Sequence, residues 1–161
     1  MLTIRQIRKL DRTPSDKQLA KMGYHGAVDG GTWWSNGFVA FHEPLPPSLE
    51  AQRERDISDI VVSAETNSLP VYPVRIQSGY PKSQTRLDSP GGDSFWINTK
   101  YLLAAAKKGR NATAFFASNR YAHHPIACHN AAGELVGIIM PLSRTAENFD
   151  PEWSLQNTDM P

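Results

Sequence analysis

A chain of 161 residues with 40% hydrophobic and 20% charged content can bury one sizeable core, not two independent ones. Its formal net charge of +1 excludes a globally cationic surface, so any contact with nucleic acid has to come from a local basic patch. Cys128 is the only cysteine, which excludes an intramolecular disulfide, and no apolar run is long enough to span a bilayer as a helix.

The opening MLTIRQIRKL lacks the uninterrupted apolar centre of a signal peptide, so the expectation is a cytoplasmic protein without membrane contact. Within residues 2–21, Ile4, Ile7 and Leu10 recur at helical spacing before Arg12-Thr13-Pro14 interrupts. A second short helix is expected from Ser15 or Asp16 to Met22, ended by Gly23. Arg5, Arg8, Lys9 and Arg12 read first as a solvated helix face, with nucleic-acid contact as the alternative.

From Gly26 to Phe41 the pattern changes to strand, turn, strand, with Ser35-Asn36-Gly37 as the tight turn. Trp33 and Trp34 then point to opposite faces. One belongs in the core, and the other is expected half-exposed, at a seam, an interface or a base-stacking surface. Pro44-Leu45-Pro46-Pro47 is a stiff connector, followed by a short charged surface helix over residues 48–56. Two apolar runs follow, Ile60-Val61-Val62 and Val71–Ile76, the second expected at a sheet edge because Pro73 cannot donate to a ladder. Residues 78–93, rich in Gly, Pro, Ser and Asp, are expected as an exposed loop.

Phe95 to Leu142 carries the clearest pattern, a βαβββ module. Asn98 or Thr99 caps the helix and Gly109 supplies its left-handed exit. At about 100° per residue, Tyr101, Leu102, Leu103, Ala105 and Ala106 spread over one side, which is expected to face a sheet, while Lys100, Ala104, Lys107 and Lys108 share the opposite stripe. Three β-prone runs follow, Ala112–Ser118, Ala122–Cys128 and Leu135–Met140, with hairpin connections at Asn119-Arg120 and at residues 130–133. Past Leu142 the periodicity ends, and Phe149, Trp153 and Leu155 are the residues able to dock this tail onto the domain.

No glycine-rich phosphate loop, paired-cysteine zinc spacing or nucleophile elbow is present, so no cofactor, metal or catalytic residue is expected. The enzyme alternative centres on the run from His123 to His129. In an extended strand, His123 and His129 share a face about 20 Å apart, too far to ligate one ion, and His124 and Cys128 occupy the other face. A Cys128 nucleophile would need a base from elsewhere, such as His25 or His42 with Asp29, and the spacing does not demand one.

Several of these stretches resemble a domain of the bacterial DNA sliding clamp, the β subunit of the replicative polymerase. The matching features are the Gly79-Tyr80-Pro81 step, the strand entering a Leu-Leu-x-Ala helix over Phe95–Lys108, and the Ile138-Ile139-Met140-Pro141-Leu142 ending. Upstream, Trp34 to Ala40 is similar to the clamp's strand turn.

The resemblance spans roughly Gly26 to Leu142. It implies an α+β fold, a mainly antiparallel sheet with helices packed on one face, built of clamp-like βαβββ units. It divides the chain into a single clamp-like domain over residues 1–142 and a C-terminal tail over 143–161. It also implies duplex DNA held by Lys100, Lys107, Lys108 and Arg110, and peptides of replication proteins held by Met140, Pro141 and Leu142. This is a non-enzymatic, processivity-factor type of role.

A clamp chain contains several such domains closing a ring, whereas this chain has room for one, so encirclement requires an oligomer. The stretch between Pro44 and Pro70 and the tail match nothing in the family. The alternative expectation is a protein-interaction or regulatory module, of the kind a phage or other mobile element encodes, that uses the scaffold without encircling DNA.

Overall fold

A computed structural model describes residues 1–19, 24–28, 31–42, 57–77, 83–119 and 124–142. The expected charged helix over 48–56, the Gly79-Tyr80-Pro81 step, the Asn119-Arg120 connection and the tail lie wholly or partly outside these residues.

Thr3 opens the first helix, α1 (Ile4–Leu10). Its hydroxyl accepts from the Gln6 amide, and the Gln6 carboxamide in turn accepts from the Thr3 amide, so two first-turn donors are satisfied reciprocally. Ser15 and Gln18 repeat the device at α2 (Asp16–Leu19). Three strands follow, β1 (Tyr24–Val28), β2 (Gly31–Ser35) and β3 (Val39–His42). The β2–β3 turn forms where Asn36-Gly37 required it: Asn36 Oδ1 accepts from the Phe38 and Val39 amides, and Gly37 takes φ +91°.

Next come α3 (Ser58–Glu65), β4 (Leu69–Gln77), β5 (Gln84–Asp88) and β6 (Ser94–Asn98), then α4 (Thr99–Ala105), β7 (Ala114–Ala117), β8 (Ile126–His129) and β9 (Leu135–Ile139). The βαβββ module is therefore present, and Asn98 caps its helix through Oδ1 and the Lys100 amide. What was expected as loop before it contains β5, which pairs along its whole length with β6.

The nine strands among the described residues form one sheet in the order β1-β2-β3-β9-β8-β7-β4-β5-β6, every neighbouring pair antiparallel. Three sequential meanders, β1–β3, β7–β9 and β4–β6, thus lie side by side, and the α+β, mainly antiparallel class is as expected. Pro73 does not mark an outer edge, because β4 is interior. Its first residues pair with β7 and its later ones with β5, and the register shifts between Pro73 and Arg75. The Pro73 carbonyl accepts from the Leu2 amide at 2.7 Å, so the position of its missing N–H also faces the N-terminal segment and not β5.

Both faces of the sheet are covered. The larger core joins Ile7, Leu19 and α4 residues Leu102–Ala105 to Trp34, Phe41, Ile97, Phe115, Ile126, Cys128 and Ile139. The smaller one packs Ile57, Val61 and Ala64, at the start of and within α3, on Trp33, Ala40, Ala127 and Ile138. Successive residues of β2, β3 and β8 alternate between the two clusters, as the pleat demands, and in β9 a bulge at Val136 resets the alternation.

This overturns the expectation for the tryptophans: Trp33 is 4% and Trp34 3% exposed, each buried under its own layer. The run Ile60-Val61-Val62 is part of α3, which supplies the second cover through Val61 and Ala64 while Ile60 and Val62 stay exposed, so the helices are not confined to one face. Gly137 stands opposite Phe41, and a Cβ there would meet the ring at 3.1 Å. The absent side chain makes room for the Trp34–Phe41 stack.

Candidate nucleic-acid interface

Leu102 and Leu103 are fully buried, each contributing about 1.5–3 kcal/mol, and they fix α4 on the sheet as its apolar flank required. The opposite stripe differs from expectation. Ala104 is also fully buried, because α1 lies against α4, where Arg8 Nη2 donates to the Ala106 carbonyl at 3.1 Å. The helix ends at Ala105, so Lys107 and Lys108 stand in the turn that follows. Lys100 and Lys107 are half-buried and Lys108 is exposed.

Arg110, which the clamp resemblance turned toward DNA, points inward instead. It is 6% exposed, its Nε donates to the Ala104 carbonyl at 2.8 Å, and its guanidinium carbon lies 4.3 Å from the Phe41 ring centroid. The physical reason is the short helix. Carbonyls of its last turn have few intrahelical partners, and positive φ at Gly109 (104°) and Asn111 (56°) folds the chain back so that a cation reaches them. Arg8 and Arg110 both serve this helix end. Arg110 is thus a staple that closes the end of α4 from within the core.

The docking of α1 on α4 assembles a surface that neither helix announces alone. Arg5, Arg8, Lys9 and Arg12 are exposed on or just beyond α1, and Arg8 reaches the Ala106 carbonyl, immediately before Lys107 and Lys108. Residues 99–113 contain no carboxylate, and residues 1–19 contain only Asp11 and Asp16. In a chain of net charge +1, this is a concentrated local patch. The basic run of α1 was legible as a run; its juxtaposition with the second set was not.

Met140, Pro141 and Leu142 are exposed or half-buried. Met140 lines a shallow depression with Phe38, Ile57, Ile60 and Ile138, whose cavity volume is about 30 Å³, an order of magnitude below a typical small-ligand pocket. A larger cavity of about 340 Å³ lies among Leu2, Ile4, Pro70, Tyr72 and Phe115, and its walls carry no carboxylate, imidazole or thiol.

The catalytic alternative gains no geometry. Cys128 is fully buried in the larger core, which pushes its thiol pKa far up. His42 pairs with Trp33 on the opposite face of the sheet, its ring 5.1 Å from the indole. The His25 side chain, Asp29 and His123 lie outside the description. His124 Nδ1 is 2.9 Å from Ser63 Oγ, and Asn67 donates to the Pro125 and Phe116 carbonyls. Together these contacts fasten the entry of β8 to α3. Among the described residues, no three His, Cys, Asp or Glu side chains converge as a metal cage requires. Nor is any described helix long and apolar enough to cross a membrane.

No protein-family model, no curated protein and no solved structure matches this chain.

Proposed function

We propose that this chain is a non-enzymatic, clamp-like module of DNA replication or another DNA-associated process, and that its α1–α4 face contacts the phosphate backbone of duplex DNA. The observation that carries this is the packing of α1 on α4, in which Arg8 Nη2 donates to the Ala106 carbonyl immediately before Lys107 and Lys108, so that two basic elements adjoin. Cations arrayed on helix surfaces neutralise phosphates without reading base edges, so binding has little sequence preference and weakens steeply with salt.

The test is fluorescence anisotropy with a duplex of arbitrary sequence across a salt series. Changing Lys107 and Lys108 to Glu weakens binding and lowers the salt slope by roughly 2. Parental affinity in that variant and in an Arg5→Glu/Lys9→Glu variant would remove the face from consideration.

A second reading, a protein-interaction or regulatory module that does not encircle DNA, is favoured by exposed apolar residues. Phe38, Ile60 and Met140 border the same depression and are at least one-third exposed. Light scattering on the eluting species separates the two, because one such domain must assemble to surround a duplex. A monomer that binds no DNA supports the second reading.

A further inference from the structure

After β9 the chain is held at two further points: the Met140 amide donates to the Phe38 carbonyl at 2.9 Å, and the Leu142 amide to the Trp96 carbonyl at 2.7 Å. Trp96 belongs to β6, which runs directly into Asn98, the cap of α4. Residues 143–161 therefore begin beside the strand that delivers α4. They carry Glu147, Asp150, Glu152 and Asp159 against Arg144, the reverse of the basic bias of the α1–α4 face.

Reach is not limiting. At about 3.3 Å per extended residue, Asp150 can lie roughly 26 Å from Leu142, whereas the path from Trp96 through α4 to Lys107 measures at most about 20 Å. An acidic segment tethered at this distance meets the basic face at an effective concentration in the millimolar range.

Building on the reading of that face as phosphate-binding, we infer that residues 143–161 are its intramolecular occupant, an acidic segment that DNA must displace. The segment then sets the apparent DNA affinity. Its influence is largest at low salt and fades as salt screens both interactions.

The experiment compares the full chain with a full-length Glu147→Gln/Asp150→Asn/Glu152→Gln/Asp159→Asn variant. In duplex anisotropy at about 50 mM salt, the variant binds about fivefold tighter or better, and the difference shrinks by about 200 mM. In parallel, zero-length carbodiimide coupling of carboxylates to amines, read by peptide mass spectrometry, yields links within one chain from Glu147, Asp150 or Glu152 to Lys9, Lys107 or Lys108.

Equal DNA affinities without such links overturn the inference and leave the phosphate-binding reading standing. Links within one chain, with no DNA binding by either protein, uphold the tail contact and overturn the DNA reading. Links only between chains overturn the intramolecular form.

Discussion

Replacing Arg110 by Ala tests the assignment that departs furthest from expectation. The substitution removes a charge-assisted hydrogen bond to the Ala104 carbonyl, worth about 1.5–3 kcal/mol, and a largely desolvated cation–π contact with Phe41, worth about 1–2 kcal/mol. Two terms offset part of this. The Ala104 carbonyl retains the Ala106 and Lys107 amides, and the cost of burying a charge disappears.

The net expectation is a loss of about 3 kcal/mol, which for a chain of this size lowers Tm by about 6–12 °C. Urea and thermal unfolding followed by circular dichroism measure it. Arg110→Lys recovers only part of the loss, since an ammonium lacks the planar fork that donates from Nε while stacking on the ring. If Arg110→Ala stays within about 0.5 kcal/mol of the parent and yet loses DNA affinity as the Lys107/Lys108 variant does, the arginine faces phosphate and the staple is wrong.

Charge reversal at Lys107 and Lys108 reduces duplex affinity without a comparable loss of stability, because neither side chain is part of the core; a matching fall in Tm would show that the two lysines support the fold instead. Neutralising the four carboxylates of residues 143–161 tightens low-salt binding, as argued above. Cys128 is fully buried and its thiol pKa is raised by that burial, so a thiol reagent labels it no faster than the protein unfolds; stoichiometric labelling of the native chain within minutes would show that the β8 core opens locally. Desolvation lowers the His129 pKa, so its neutral form is the one the fold favours. The stability this contributes is present above the ordinary histidine range and lost as pH falls through the folded value. A His129→Gln variant is expected to show a flatter stability profile below about pH 6.5, and an unchanged profile counts against that role.

The βαβββ module was legible because its signals are local. An Asn98 cap, an apolar helix flank and turn residues at 130–133 each act within a few positions. Trp33 and Trp34 were misjudged because alternation shows that two side chains diverge, not whether a second layer waits on the far side. That layer, α3, was written as an apolar run too short to distinguish helix from strand. Pro73 misled for a related reason. The rule about proline and sheet edges concerns a missing donor, and here that position faces the N-terminal segment beside a register shift. Ala104 was assigned to an exposed stripe, with Lys107 and Lys108, by extending helical periodicity past Ala105, where the helix stops, and without the α1 partner far upstream in the chain; Arg110 was assigned to phosphate by resemblance alone.

Lys108 and Arg110 stand two residues apart, carry the same charge and have opposite duties. One is exposed beyond the end of α4, while the other closes that helix from within the core. A screen that neutralised every cation of the turn together would register lost DNA binding for two unrelated reasons, surface charge and an unravelled helix end. The arrangement has a consequence for the face itself. Arg8 grips the Ala106 carbonyl and Arg110 the Ala104 carbonyl, so the two helices keep their relative position through the same short turn that presents Lys107 and Lys108. Spacing between the basic groups of α1 and those after α4 therefore depends on two arginine-to-carbonyl contacts, one from exposed Arg8 and one from buried Arg110.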